Sequence, residues 1–154
     1  MTHDAGESVR VRAASPRDLD AIVAVNRATA TQAYALIFPG QPYPEEGVRT
    51  RYQRLLSDRR VRLFVAEEAG SAVAYAAARP GRIEALYVVP EYWGTGIADV
   101  LYERATEIAG SRATLWVLRD NVRGRRFWER RGWRATGEED MTGSATECLY
   151  RRTK

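Results

Sequence analysis

At 154 residues the chain fits one domain that buries roughly 70% of its extended-chain surface, and 45% hydrophobic with 29% charged residues makes it an ordinary soluble globular sequence. No apolar run approaches the roughly 20 residues of a membrane span, Met1 to Arg10 is too polar for a signal peptide, the single Cys148 excludes an internal disulfide, and His3 as the only histidine argues against a metal site. A net charge of +4 carried almost wholly by arginine favours anionic ligands, but these arginines alternate with Asp and Glu along the chain, which argues against nucleic acid and leaves the cytoplasm as the expected compartment.

Met1 to Glu7 is polar and reads as a tail, so the domain spans residues 9–154 after a flexible stretch at 1–8. Ser8 to Ala14 alternates apolar and charged residues, the pattern of a half-exposed strand. Ser15-Pro16-Arg17-Asp18 starts a helix, with Ser15 as N-cap and Asp18 closing a capping box. That helix buries Leu19, Ile22, Val23 and Val25 and runs to about Ala30. Tyr34 to Gly47 is broken by three prolines and two glycines and is rich in aromatics, so it is an irregular loop. It is either a surface connection or a wall of a substrate pocket. Val48 to Ser57 forms a second helix.

Val61 to Glu67, Ala72 to Ala78 and Arg82 to Val89 are three strands of a meander, turning at Glu68 to Ser71 and at Arg79-Pro80-Gly81. Pro90 ends the third. From Gly96 onward Ile97, Val100, Leu101, Ala105 and Ile108 recur at helical spacing. Between strand and helix, Trp93-Gly94-Thr95-Gly96-Ile97-Ala98 has little side-chain bulk. Its backbone amides can approach a ligand at a helix N-terminus, which suits phosphate. A tight strand-to-helix turn looks the same, and no Gly-Lys-Ser/Thr follows to make it a phosphate-binding P-loop.

Ala113 to Arg119 is another strand, parallel and adjacent to the one at Leu86 because a helix crosses over between them. Asn121 caps a short helix through Phe127 and Trp128, stopped by Gly132. Trp133 to Glu138 and Glu147 to Arg151 close the chain as an antiparallel pair. The fold class is mixed α/β, in the order β-α-α-β-β-β-α-β-α-β-β.

This order, from Val9 to Arg152, resembles the GCN5-related N-acetyltransferase (GNAT) family, which binds acetyl-coenzyme A. Two segments carry the resemblance: Trp93-Gly94-Thr95-Gly96-Ile97-Ala98, at the family's Gln/Arg-x-x-Gly-x-Gly/Ala turn, and Asn121 to Trp133, at its Asn-x-x-Ala-x-x-Phe-Tyr-x-x-x-Gly-Phe segment. The resemblance implies two parallel strands that splay apart, with pantetheine filling the gap and bonding to the backbone around Leu86, Tyr87 and Val88. Amides from Trp93 to Ala98 (Trp93, Gly94, Thr95, Gly96, Ile97, Ala98) would hold the pyrophosphate. Asn121 either bonds the pantetheine or caps its helix. Arg125 and Arg126 are candidates for the phosphates.

Two positions depart from the family pattern. Trp93 replaces the usual Gln or Arg, which removes a polar side chain and leaves the amides. Trp128 replaces a tyrosine that commonly protonates the departing thiolate, and an indole N–H does not ionise usefully. A thiol pKa near ~8.5 makes the thiolate a tolerable leaving group with solvent help. Tyr87 either substitutes for that acid or packs. The acceptor amine, an ammonium with a pKa near ~10, must lose a proton before attack. Glu84 is the candidate base, placed on the face of Leu86 by two-residue alternation, or else a charge paired with an arginine. Trp128, Tyr34, Phe38 and Tyr43 form an acceptor pocket or belong to the core, with Trp116 assigned to the core. The implied reaction is acetyl transfer from acetyl-coenzyme A to a small-molecule or peptide amine by direct attack, without metal, nucleic acid or membrane. The rival is a non-catalytic coenzyme A–binding sensor or interaction module. A homodimer is left open.

Overall fold

The computed structural model describes residues 9–33, 35, 37–142 and 145–153. Seven strands form one sheet in the order β1-β2-β3-β4-β5-β7-β6. They are β1 (Val9–Ala13), β2 (Arg62–Glu68), β3 (Ser71–Arg79), β4 (Arg82–Val88), β5 (Thr114–Leu118), β6 (Trp133–Thr142) and β7 (Ala145–Arg152). All neighbours are antiparallel except β4 and β5. Helices α1 (Leu19–Ala33) and α2 (Glu45–Ser57) cover one face, and α3 (Ile97–Ala109) and α4 (Val122–Glu129) the other. Among the described residues no helix is long and apolar enough to cross a membrane.

Strand β3 explains how both layers sit so close. Its residues Val73 to Ala78 are buried without a break, as expected of a strand covered on both faces. Ala74, Ala76 and Ala78 pack with Ile97, Leu101 and Ala105 of α3, while Tyr75 and Ala77 pack with Ile22, Val25 and Tyr52 of α1 and α2. Cys148 is buried in the α3 layer.

Several boundaries differ from the sequence reading. The first helical turn is a 3-10 turn, Pro16–Asp18, in which the Ser15 N–H donates to Asp18 Oδ2 at 2.8 Å. Helix α2 starts three residues early because Glu45 and Glu46 suit the positive helix end and Pro44 can precede it. Strands β6 and β7 extend well past the expected limits; their polar, exposed middle carries no alternating signal, and the register shifts between Ala135 and Glu139. Val100, expected on the apolar face of α3, is 45% exposed.

Candidate active site

The parallel strands β4 and β5 pair only at Arg82–Thr114, where the Thr114 N–H donates to the Gly81 carbonyl at 3.0 Å. Beyond that point they diverge around a cavity of about 1010 Å³. The Val89 N–H donates to the Val73 carbonyl of β3 at 2.9 Å. Peptide groups alternate in direction along a strand, so those of Leu86 and Val88 point the other way, into the divergence. The Val88 carbonyl there accepts two bonds, from Trp93 Nε1 at 2.7 Å and Thr29 Oγ1 at 3.2 Å.

The turn after β4 supplies the next wall. Gly94 (φ +77°) and Gly96 (φ +92°) adopt left-handed backbone, which a Cβ would strain. The Trp93 and Thr95 N–H groups bond within the turn, to Pro90 and Tyr92. Gly96 is the N-cap and the first intrahelical bond is Val100 to Gly96, so the amides of Ile97 and Ala98 have no intrahelical partner. The backbone left without a partner inside the turn or helix is therefore that of Gly94, Gly96, Ile97 and Ala98. The Thr95 hydroxyl donates to the Tyr92 carbonyl at 2.6 Å, and the Ile97 side chain is buried in the core.

Trp93 is half-buried against the core, with its indole N–H bonded to the Val88 carbonyl. The Arg123 guanidinium of α4 lies 3.8 Å from the ring centroid, and both side chains line the cavity. The pair is a cation–π contact that holds the guanidinium at the cavity wall. Arg125 is a correction: its Nε donates to Tyr150 Oη at 2.8 Å and its Nη1 to the Arg119 carbonyl at 3.0 Å, which ties α4 to β7 and points away from the cavity. One helical turn holds charges on different faces, and a run of arginines does not say which faces the ligand.

Of the two roles foreseen for Asn121, the cap is present. Its Oδ1 accepts the Gly124 N–H at 3.1 Å as the cap of α4, and the residue lines the cavity. Gly124 allows this, since a Cβ there would meet Asn121 Nδ2 at 2.5 Å. Trp128 is 8% exposed, with its ring packed on Phe127, Trp133 and Tyr102 at centroid distances of 4.9, 5.5 and 6.0 Å. It lines the cavity as an apolar surface.

The other face of the sheet differs in character. Ala77 pairs with Ala85 and Ala78 with Ile83, so Glu84 is the extra residue of a β-bulge. The bulge cancels the expected alternation: Leu86 packs in the α3 layer, while Glu84 turns to the α2 side. There its carboxylate, in a side chain only 12% exposed, meets three guanidiniums: Arg79 at 2.9 Å, Arg51 at 3.8 Å and Arg82 at 4.0 Å. The Arg79 Nε–Glu84 approach is close but not aligned as a hydrogen bond. Arg51 also donates to the Glu84 carbonyl at 2.7 Å.

Tyr87 shares this face, its ring 5.5 Å from that of Tyr75, and it lines the cavity with Phe38, Thr29 and Trp116. Tyr34 lies outside the described residues. Tyr43 does not reach the cavity wall. Its hydroxyl donates to Asn26 Oδ1, Asn26 Nδ2 donates to Tyr75 Oη at 2.9 Å, and Tyr75 donates to Tyr52 Oη at 2.7 Å. Burial pushes Tyr43 up to about 12, and pushes Tyr52 and Tyr75 up as well, so all three are neutral. This chain pins the loop to α1.

Sequence reasoning missed Thr29, Arg51, Arg123 and Glu147, all on the cavity wall. Only Thr29 carried a signal, with Asn26, as polar interruptions of the buried stripe of α1.

A family model described as "Acetyltransferase (GNAT) family" matches residues 27–133. An uncharacterized N-acetyltransferase of Archaeoglobus fulgidus is 33% identical, over 78% of this chain and 89% of its own. The fold is similar to the crystal structure of PaiA N-acetyltransferase from Thermoplasma acidophilum in complex with coenzyme A (TM-score 0.74, 24% identity, 92% of this chain and 98% of that one). It is also similar to an acetyltransferase from Thermus thermophilus (TM-score 0.71, 21% identity, 94% and 96%).

Proposed function

Because the chain belongs to the acetyltransferase (GNAT) family, we propose that it transfers acetyl from acetyl-coenzyme A to an amine by direct attack of nitrogen on the thioester carbonyl. The observation that carries this reading is the divergence of β4 from β5, which leaves the Leu86 peptide groups and the Val88 N–H facing a cavity, the Val88 carbonyl being taken by Trp93 and Thr29. An extended pantetheine arm fits such an edge as an added strand. Gly94, Gly96 and the first amides of α3 fit a diphosphate at the mouth, with Arg123 beside them. The bound thioester supplies an activated acyl group; binding, orientation and proton handling fall to the protein.

The sheet divides the labour. Trp128 and Phe127 line the α4 side and keep water from the sulfur end. Thr29, Tyr87 and Arg51 line the α1–α2 side, where the acceptor enters. Cys148 faces the α3 layer and is absent from the cavity wall, which favours direct transfer over an acyl-enzyme. No phenol stands at position 128, and Tyr87 packs on Tyr75 across the sheet from Trp128. The thiolate therefore leaves with its proton supplied from the attacking nitrogen or from solvent. One carboxylate, Glu84, faces three arginines, an excess of positive charge that disfavours the ammonium form of a bound amine. Glu84 acts there as the counter-ion that positions Arg51 and Arg79.

The test is thiol release from acetyl-coenzyme A against a panel of amines, beside calorimetric titration of coenzyme A. Turnover with product acetylated on nitrogen supports the reading. Tight coenzyme A binding with no turnover on any amine supports instead a non-catalytic sensor, the reading that the buried Trp128 favours.

A further inference from the structure

We infer that the acceptor half of the cavity is a two-ended site: the Glu147 carboxylate takes the amine and its proton, while Arg51 and Arg82 hold an anionic group of the same acceptor. This rests on the acyl-transfer reading above and adds to it the acceptor's chemical class, an amine that carries a carboxylate or similar anion.

Register places Glu147. It pairs with Leu118 at the open end of β5, as Leu149 pairs with Trp116. The intervening residues Leu115, Val117, Cys148 and Tyr150 are buried in the α3 layer. Side chains alternate along a strand, so Glu147 stands on the opposite, acceptor face. Counting along the parallel pair from Arg82–Thr114 brings Leu118 level with the Leu86–Tyr87 step, where the two strands have separated. Glu147 thus borders the cavity level with Leu86 and Tyr87, beside the strand edge proposed to hold the pantetheine.

Charge then separates the two carboxylates of this half. Glu84 is engaged by Arg79, Arg51 and Arg82. Among the described residues Glu147 has no ion pair and no side-chain hydrogen bond, which leaves its oxygens for a ligand. Arg51 and Arg82 are about half exposed (side chains 49% and 43%) and have Glu84 as their one ion-pair partner among the described residues, whereas Arg79 also meets Asp58 at 3.7 Å. Their uncompensated charge attracts an anion and repels a polyamine. A second cavity of about 620 Å³ along α2 also includes Arg51 and Glu84 in its wall, so this pair stands where an acceptor of some length can run on.

The proton inventory closes. Glu147 takes one proton from the ammonium, and the freed lone pair forms the C–N bond at the thioester carbonyl. The C–S bond then breaks with its electron pair going to sulfur. The second nitrogen proton ends on that sulfur, and Glu147 returns its own to solvent. The products are an N-acetyl compound, the thiol of coenzyme A and one proton.

The experiment compares the full-length wild type with Glu147→Gln, Glu84→Gln and Arg51→Gln. The acceptors are amino acids and dipeptides, their matched C-terminal amides, and spermidine. Each acid should exceed its amide by about tenfold in kcat/KM, with spermidine poorer still. Arg51→Gln should collapse that preference. Glu147→Gln should lower kcat/KM by about 10²-fold or more, remove the acidic limb of the pH profile, and leave coenzyme A affinity unchanged. Wild-type activity in Glu147→Gln, loss of the acidic limb in Glu84→Gln alone, or preference for spermidine over the acids overturns the inference and leaves acyl transfer standing. Absence of turnover on every amine defeats the acyl-transfer reading itself, and this inference with it.

Discussion

Substituting Gly96 separates backbone strain from charge in the proposed anion cradle. At φ +92° any L side chain is strained, by about 1–2 kcal/mol. An ideal Cβ at Gly96 meets nothing within 4 Å, so no clash adds to that cost. For a domain of this size each kcal/mol lowers Tm by about 2–4 °C. Gly96→Ala and Gly96→Glu should therefore both melt about 2–8 °C below wild type, and both should fold. Alanine reports the strain and the lost close approach of backbone to phosphate. Glutamate adds one negative charge beside the nearer phosphate of the diphosphate, which carries a single charge. At ~4 Å that repulsion is about 1 kcal/mol if fully solvated and about 4 at an intermediate effective dielectric. Coenzyme A should then bind Gly96→Glu about 5-fold to 10³-fold more weakly than Gly96→Ala. Exposed charges are screened within about 10 Å at 0.1 M salt, so this difference should shrink as salt rises, whereas the alanine effect should not. Calorimetric titration at two ionic strengths reads both. A folded Gly96→Glu that binds coenzyme A like Gly96→Ala at low salt would refute the cradle.

Two further outcomes follow from the aromatic clusters. Trp128→Tyr places a phenol against Phe127, Trp133 and Tyr102 and should cost about 1 kcal/mol of stability through the small void it leaves. Its kcat should equal or exceed wild type, read by thiol release; total loss in a folded variant means that the indole has a specific role. In alkaline solution Tyr43, Tyr52 and Tyr75 keep their protons in the folded state well past the ordinary tyrosine value near ~10, because burial disfavours the phenolate. The unfolded chain releases those protons first, so their contribution is fully present below pH ~10 and is lost as pH rises through 10 toward 12. Denaturant melts across that range, beside tyrosinate absorbance, check it; constant stability up to pH ~12 contradicts the buried chain.

What could be read from the chain and what could not divide along the plane of the sheet. The side proposed for the coenzyme is made of backbone: a proline that ends β4, two glycines in left-handed conformation, a set of helix amides without intrahelical partners and an asparagine cap. Each is a local demand on a few neighbouring residues, so composition and spacing reveal it. The side proposed for the acceptor is made of side chains brought together by long-range register. Glu84 changes face because one residue is added opposite Ala77 and Ala78, which depends on the turn at Arg79 to Arg82 and leaves no mark on the alternation of β4 itself. Glu147 reaches the cavity through its pairing with Leu118, and the polar stretch around it carries no periodic signal. Arg51 arrives from a helix about thirty residues upstream of the strand it meets. Arg125 drew attention in sequence and Arg123 did not, yet Arg125 bonds Tyr150 while Arg123 stacks on Trp93 at the cavity.

The same division bears on the acceptor. A diphosphate needs amides, and any sequence that preserves the turn at Gly94 and Gly96 keeps them. An acceptor needs particular side chains, and here these project from α1, α2, β4 and β7, four elements whose neighbours in the core are unaffected by a change of charge. Replacing Arg51, half exposed, or Glu147, partly buried at the cavity wall, leaves Ala74 to Ala78, the packed centre of the fold, untouched. Acceptor preference should then shift by single substitutions at Arg51 or Glu147 with less change in stability than the about 2–5 kcal/mol typical of truncating a large core residue, whereas coenzyme A binding should tolerate those changes and fail at Gly96. A variant set in which acceptor preference and coenzyme A affinity always fall together would show that the two halves are not separable.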